Sequence, residues 1–182
     1  MTQWEKPHAL THAVVHVGEH AGGGGGGRRR GLRVLVLGGG EGATVRDVLK
    51  CASVDLCVMC EIDPEVVEVA KRFLPAMASA LLESAGNPRF KLVIGDCVAF
   101  LQGAPMVGAE DIARGGWDLI VSDLSDPYTA DSEDGKRPSG ALLTKEFYEL
   151  LLSALSPRGL LAMQVRHCSS SALSSLLCIC DR

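Results

Sequence analysis

The chain has 182 residues, of which 47% are hydrophobic, and a formal net charge of −4 at neutral pH. That length gives room for one domain with a real core, and the acidic balance excludes a surface built to attract nucleic acid. No run approaches the roughly 18 apolar residues of a membrane span, and Met1-Thr2-Gln3-Trp4-Glu5-Lys6 lacks the apolar segment of a secretion signal. A cytoplasmic chain with neither membrane nor nucleic-acid partner is therefore expected.

In such a compartment the seven cysteines are expected as thiols. Cys57 and Cys60 have CxxC spacing, but they lie inside an apolar run with no second ligand pair. They read as small core residues, not as metal ligands. His8, His12, His16 and His20 recur every four residues without the glutamate of an HExxH arrangement, so no metal is expected there either.

Residues 1–21 show no clear period, and residues 22–27 are six consecutive glycines. That stretch is flexible low-complexity chain, expected to be disordered, and Arg28-Arg29-Arg30 reads as its solvated end. Residues 1–31 are thus an N-terminal remnant and linker, and the domain spans 32–167.

From Leu32 the pattern alternates strand and helix. A strand over 33–37 enters the cluster Gly38-Gly39-Gly40-Glu41-Gly42, and a helix follows over 43–50. A second strand covers 54–60. Asp63 is a candidate N-cap and Pro64 fits a helical first turn. That helix, 64–73, has Val66, Val67, Val69, Ala70 and Phe73 as its apolar side. A less regular stretch runs to Asn87-Pro88, then a strand over 90–94 closes on Gly95-Asp96, with a short helix over 97–102. After a loop over 103–116 comes the strand Trp117 to Ser122, then a long polar loop over 126–140. A helix over 144–155, capped by Thr144, turns through Pro157-Arg158-Gly159 into a strand over 160–165. Residues 168–182 read as an irregular tail.

Continuously apolar strands alternating with helices imply a mostly parallel sheet covered on both faces, a doubly wound α/β domain. Ligands of such sheets bind at the carboxyl ends of the strands. There the chain places the glycine turn with Glu41, then Glu61, Asp96, Asp123 and Asp126. Glycines let backbone N–H groups approach a ligand, and Glu61 falls about 20 residues on, where an acid meets a ribose. The alternative is a glycine turn that only permits helix–strand packing.

A rim of carboxylates suits a cationic, hydroxyl-rich ligand. Glu61 can accept both ribose hydroxyls, and Asp96 can accept from an exocyclic amine such as that of adenine. Glu41 can pair with an ammonium and would repel a pyrophosphate, which disfavours NAD or FAD and favours an adenosyl-sulfonium ligand. Asp123 and Asp126 can face one cavity, one holding a substrate amine and the other accepting its proton. An amine of pKa near 10 must lose a proton before it attacks, so a positioned base is expected.

Gly38-Gly39-Gly40-Glu41-Gly42, Cys60-Glu61-Ile62-Asp63, Gly95-Asp96, Asp123-Leu124-Ser125-Asp126-Pro127, Phe147-Tyr148-Glu149-Leu150 and Gly159 with Gln164 resemble the polyamine aminopropyltransferases, the spermidine and spermine synthases. The resemblance covers about residues 32–165. Glu41 and the Asp-Leu-Ser-Asp-Pro sequence lean towards the thermospermine synthase branch. The resemblance implies a Rossmann-like fold of the class I S-adenosylmethionine-dependent transferases. It implies transfer of an aminopropyl group from decarboxylated S-adenosylmethionine to a di- or polyamine, putrescine or spermidine. By it Asp123 is the proton acceptor and Asp126 an amine ligand. Gly38, Gly39, Gly40, Glu41, Glu61, Ile62, Asp96 and Cys97 line the donor. Glu41 holds the aminopropyl ammonium and disfavours the carboxylate of intact S-adenosylmethionine. Displacement is direct, at the carbon next to sulfur, with no bound cofactor and no metal. Family members are commonly dimers, so a homodimer is implied.

The chain also departs from the family. The family's β-domain precedes the glycine motif and carries a ligand-contacting tyrosine; here about 31 residues stand there, and Leu10-Thr11-His12-Ala13 lacks it. The family adds strands after the fifth, where this chain has Cys168 to Arg182, and a long acidic loop follows Pro127-Tyr128. The chain thus reads as truncated at both ends, with the donor half of its site complete and the amine half not. A methyltransferase on the same fold is the runner-up, but that class has an acid two residues before the first glycine, and here Val36 stands there. A catalytically dead nucleoside-binding module comes third, and a dinucleotide oxidoreductase last.

Overall fold

The computed structural model describes Val14, residues 31–103, 116–124, Leu142, 144–166 and 175–181, with backbone alone for 164–166 and 175–181. The glycine linker, the histidine stripe, both long loops and Asp126 lie outside the described residues.

The elements are β1 (Leu32–Gly38), α1 (Ala43–Leu49), β2 (Val54–Glu61), α2 (Pro64–Phe73), α3 (Ser79–Leu82), a 3₁₀ turn (Ser84–Gly86), β3 (Phe90–Ile94), α4 (Cys97–Leu101), β4 (Trp117–Asp123), α5 (Lys145–Ala154), β5 (Leu155–Arg166) and β6 (Ser175–Asp181). The strands form one sheet in the order β3-β2-β1-β4-β5-β6. The first five run parallel, and β6 pairs antiparallel with β5. The order turns outward in both directions from β1 and β4, so the sheet is doubly wound with its switch between those two strands.

Side chains alternate across the sheet and both faces are covered, which is why each of the first four strands carries a continuous apolar stretch. Val34 and Val36 of β1 point into one core with Val45, Val48, Val67, Ala70 and Leu81. Leu35 and Leu37 point into the other, against Phe147 and Leu151 of α5. Fully burying each such side chain stabilises the fold by about 1.5–3 kcal/mol. Val14, fully buried, packs into the first core.

Helix starts follow the caps. The Asp63 carboxylate accepts from the Glu65 N–H at 2.8 Å, and Thr144 Oγ1 accepts from the Phe147 N–H at 3.3 Å. Each satisfies a donor that the first helical turn leaves open.

Three expectations are corrected. On α2 only Val67 and Ala70 are buried, whereas Val66, Val69 and Phe73 are 43%, 55% and 64% exposed. Val67 and Ala70 form a single buried stripe in the first core, and the exposed three sit roughly a quarter turn away from it. The turn at Pro157-Arg158-Gly159 lies inside β5, which already pairs at Leu155 with Trp117. Arg158 takes φ 70° there, and the register shifts between Trp117 and Leu119, as in a bulge. The tail read as irregular supplies β6, whose alternating pairing from Leu160–Asp181 to Arg166–Ser175 closes the open edge of β5.

Candidate active site

Parallel strands bring their carboxyl ends to one rim. Gly38 pairs with Asp123 across β1 and β4, Leu37 with Cys60 across β1 and β2, and Glu61 with Ile94 across β2 and β3. The glycine turn, Glu61, Asp96 and Asp123 therefore all stand on that rim.

The turn is seated between two acids. The Gly39 N–H donates to the Asp123 backbone carbonyl at 3.1 Å. Gly38 has φ 77°, and a Cβ there would stand 2.5 Å from that same carbonyl oxygen. At Gly40 a Cβ would stand 2.4 Å from Val66 Cγ1 and 3.1 Å from Glu61 Oε2. Only glycine permits the first conformation, and no side chain fits at either place. The β1–α1 turn thus runs directly beneath the Asp123 and Glu61 carboxylates.

Glu61 is buried, and its Oε1 accepts from the Asp63 N–H at 3.0 Å, which fixes the side chain at the mouth of α2. Asp96 is exposed, and its Oδ1 accepts from the Val98 N–H at 2.7 Å. It is a helix cap as well as a rim acid. Asp123 is half-buried, and Thr44 Oγ1 donates to its Oδ2 at 2.6 Å. Ile62 is 61% exposed beside Glu61 and offers an apolar surface at the rim.

The Glu41 carboxyl is held above its ordinary value. Burial is the main cause; its own backbone N–H pulls the other way, and Asp123 and Glu61 add repulsion. Among the described residues no lysine or arginine pairs with Glu41, Glu61 or Asp123; the ion pairs are elsewhere, on α1, α2 and α5. Three carboxylates so grouped, with no counter-ion among the described residues, favour a positively charged neighbour.

The thiols nearby have no acid–base role. Burial pushes Cys60 up to about 12, helped by Cys97, Asp96 and Glu61, and pushes Cys97 up to about 11. They remain neutral at physiological pH. No cluster of His, Cys, Asp or Glu among the described residues has metal-binding geometry. No described helix is long and apolar enough to cross a membrane.

The structure brings together Gly38, Gly39, Gly40, Glu41, Glu61, Ile62, Asp96, Cys97 and Asp123 from the sequence expectation. Two neighbours were missed: Thr44, hydrogen-bonded to Asp123, and Val66, packed against Gly40. A hydroxyl in the first turn after a glycine loop was a usable signal for Thr44, because that turn sits over the strand ends. Val66 had none, since its spacing suits a core-facing residue equally well.

Residues 8–175 match the spermine/spermidine synthase domain. A polyamine aminopropyltransferase of Synechococcus sp. (strain JA-2-3B'a(2-13)) is 42% identical over 132 residues, covering 72% of this chain and 36% of that protein. The chain therefore spans about a third of the length of that relative. A spermidine synthase solved in complex with the transition state analogue AdoDATO superposes with a TM-score of 0.58 at 28% identity, over 74% of this chain and 39% of that one. Human methyltransferase-like protein 13, in complex with SAH, has the same TM-score at 22% identity, over 88% of this chain and 63% of that one. That last likeness shows the fold alone, a Rossmann-like architecture shared by both classes of transferase. The chain belongs to the spermine/spermidine synthase family.

Proposed function

We propose that the chain transfers an aminopropyl group from decarboxylated S-adenosylmethionine to a di- or polyamine, in polyamine biosynthesis. The observation that carries this reading is the glycine turn enclosed by Glu41, Glu61 and Asp123 with no cation among their described neighbours. In it Glu61 holds the ribose hydroxyls, Ile62 and Cys97 border the base, and Asp96 accepts from the adenine amine with the oxygen not used for capping. Gly38, Gly39 and Gly40 bring the backbone close to the sulfonium end. Glu41 pairs with the aminopropyl ammonium, and an α-carboxylate at that place would meet the same acids that surround it. Asp123 accepts the proton of the attacking amine, and Asp126, three residues on, holds another of its ammonium groups.

The step is a direct displacement. The amine lone pair bonds to the methylene carbon next to sulfur, the C–S bond breaks, and its electron pair stays on sulfur. The amine proton passes to Asp123. Preorganised carboxylates stabilise the positive charge moving from sulfur to nitrogen. Neither a resident cofactor nor a metal has a part in this step.

Glu41 and Leu124 support the thermospermine branch within that reading, with putrescine or spermidine as acceptor. A homodimer, a cytoplasmic location and a domain bounded at residues 32–167 belong to the same proposal. Titration calorimetry with decarboxylated and intact S-adenosylmethionine, followed by turnover with putrescine and spermidine, tests it. Tighter binding of the decarboxylated donor and a chromatographically resolved product are expected. Tighter binding of intact S-adenosylmethionine overturns it in favour of methyl transfer.

A further inference from the structure

We infer that Thr44 is a positioning residue for the base: its hydroxyl holds Asp123 Oδ2 so that Oδ1 is the oxygen presented to the amine. This rests on the aminopropyl-transfer reading for the chemistry, but the contact itself stands on geometry. Thr44 Oγ1 lies 2.6 Å from Asp123 Oδ2, and the bond joins the first turn of α1 to the last residue of β4. An ionised carboxylate only accepts, so the hydroxyl is the donor.

The other described neighbours crowd Oδ2 but do not fix the rotation of the carboxylate. A Cβ on Gly39 would stand 3.0 Å from Asp123 Oδ2, so that oxygen rests directly over the glycine turn. Gly38 packs against the Asp123 backbone on the same side. Among the described residues no other hydrogen bond reaches either carboxylate oxygen. The terminal torsion of an aspartate is broad and nearly two-fold. Without Thr44 the carboxylate rotates about it, and the lone pair aimed at the amine is spread over many directions. With Thr44 one oxygen is held, and the other has no hydrogen-bond partner among the described residues. During the transfer the hydroxyl keeps its proton; the amine proton goes to Oδ1, and the electron pair of the broken C–S bond stays on sulfur.

Thr44→Val keeps the branched shape and removes the hydroxyl; Thr44→Ser keeps the hydroxyl. In protein carrying ¹³C-carboxyl-labelled aspartate, the Asp123 signal is assigned by its disappearance in Asp123→Asn. That signal is expected to move in Thr44→Val and to stay in place in Thr44→Ser. The same variants are assayed for transfer. In Thr44→Val kcat falls about 10- to 100-fold, the scale of one hydrogen bond to a charged group, with the donor KM within about two-fold. Thr44→Ser recovers most of that loss. An Asp123 signal unmoved in Thr44→Val overturns the contact. A moved signal with kcat unchanged overturns the positioning role. A signal that moves in Thr44→Val, while the wild-type chain transfers no aminopropyl group, overturns the reaction and leaves the held carboxylate standing.

Discussion

Glu41→Gln is expected to act in opposite directions on ligand binding and on stability. In the free protein Glu41 is half-buried, and its carboxyl is raised by burial and by Asp123 and Glu61. A raised carboxyl means that the folded protein binds the proton more tightly than the unfolded chain. Its ionised form therefore costs stability above the folded pKa, and the cost is relieved as pH falls through that raised value. Glutamine removes the charge, and its carbonyl can still accept from the backbone N–H. Relieving that unfavourable charge is expected to raise the melting temperature of the unliganded protein at neutral pH. With ligand the sign reverses. Losing a charge-assisted pair to the aminopropyl ammonium costs about 1.5–3 kcal/mol, or roughly 10- to 150-fold in affinity. The preference over intact S-adenosylmethionine narrows as well, because the acid that repels the α-carboxylate is gone. Scanning calorimetry without ligand and titration calorimetry with each donor, both at neutral pH, measure the two effects. A lower melting temperature for the unliganded variant, or a donor affinity within two-fold of wild type, refutes the reasoning. The wild-type chain should also lose affinity as pH falls, starting above the ordinary glutamate range, and the variant should lack that component.

Asp123→Asn is expected to lower transfer by about 10²–10⁴-fold while donor affinity changes little; equal loss of both in paired turnover and binding assays would mean a structural role. Gly40→Ala places a methyl 2.4 Å from Val66 Cγ1, a clash that should lower stability by about 1–3 kcal/mol. Combining it with Val66→Ala should recover part of that loss in urea denaturation, and a purely additive double variant would count against the clash. The Cys57 and Cys60 thiols, each pushed up to about 12 by burial, should label with maleimide at neutral pH far more slowly than in urea, as read by peptide mass spectrometry.

The sheet was readable because each of its first four strands carries a continuous apolar run ended by a glycine or an acid. Asp63 and Thr144 likewise announce their helices, and both cap as expected. Helix α2 was misread in part, since three valines, an alanine and a phenylalanine fill two adjoining stripes and periodicity cannot say which one meets the sheet. Strand β6 was missed because Ser175 to Asp181 has no alternation of its own; its pairing is set by the exposed edge of β5, a tertiary cause. The site was visible as acids at strand ends. Their partners were not, because the bond between Thr44 and Asp123 crosses 79 positions in sequence.

Strand β4 shows how acids of one element divide between structure and chemistry. Asp118, near its amino end, is buried, accepts from the Arg33 N–H at 2.9 Å and from Ser156 Oγ at 2.8 Å, and so ties β1 and β5 to the strand between them. Its charge is consumed by the fold. Asp123, at the carboxyl end, has among the described residues one hydrogen-bond partner on one carboxylate oxygen and neighbours of its own sign. A carboxylate so placed has an oxygen open to a cation. Strand direction decides which case applies. At the carboxyl ends, turns and helix starts leave a cleft; at the amino ends, neighbouring backbone closes over the acid. The same residue type, five positions apart, thus serves as a fastener at one end and as a proposed base at the other.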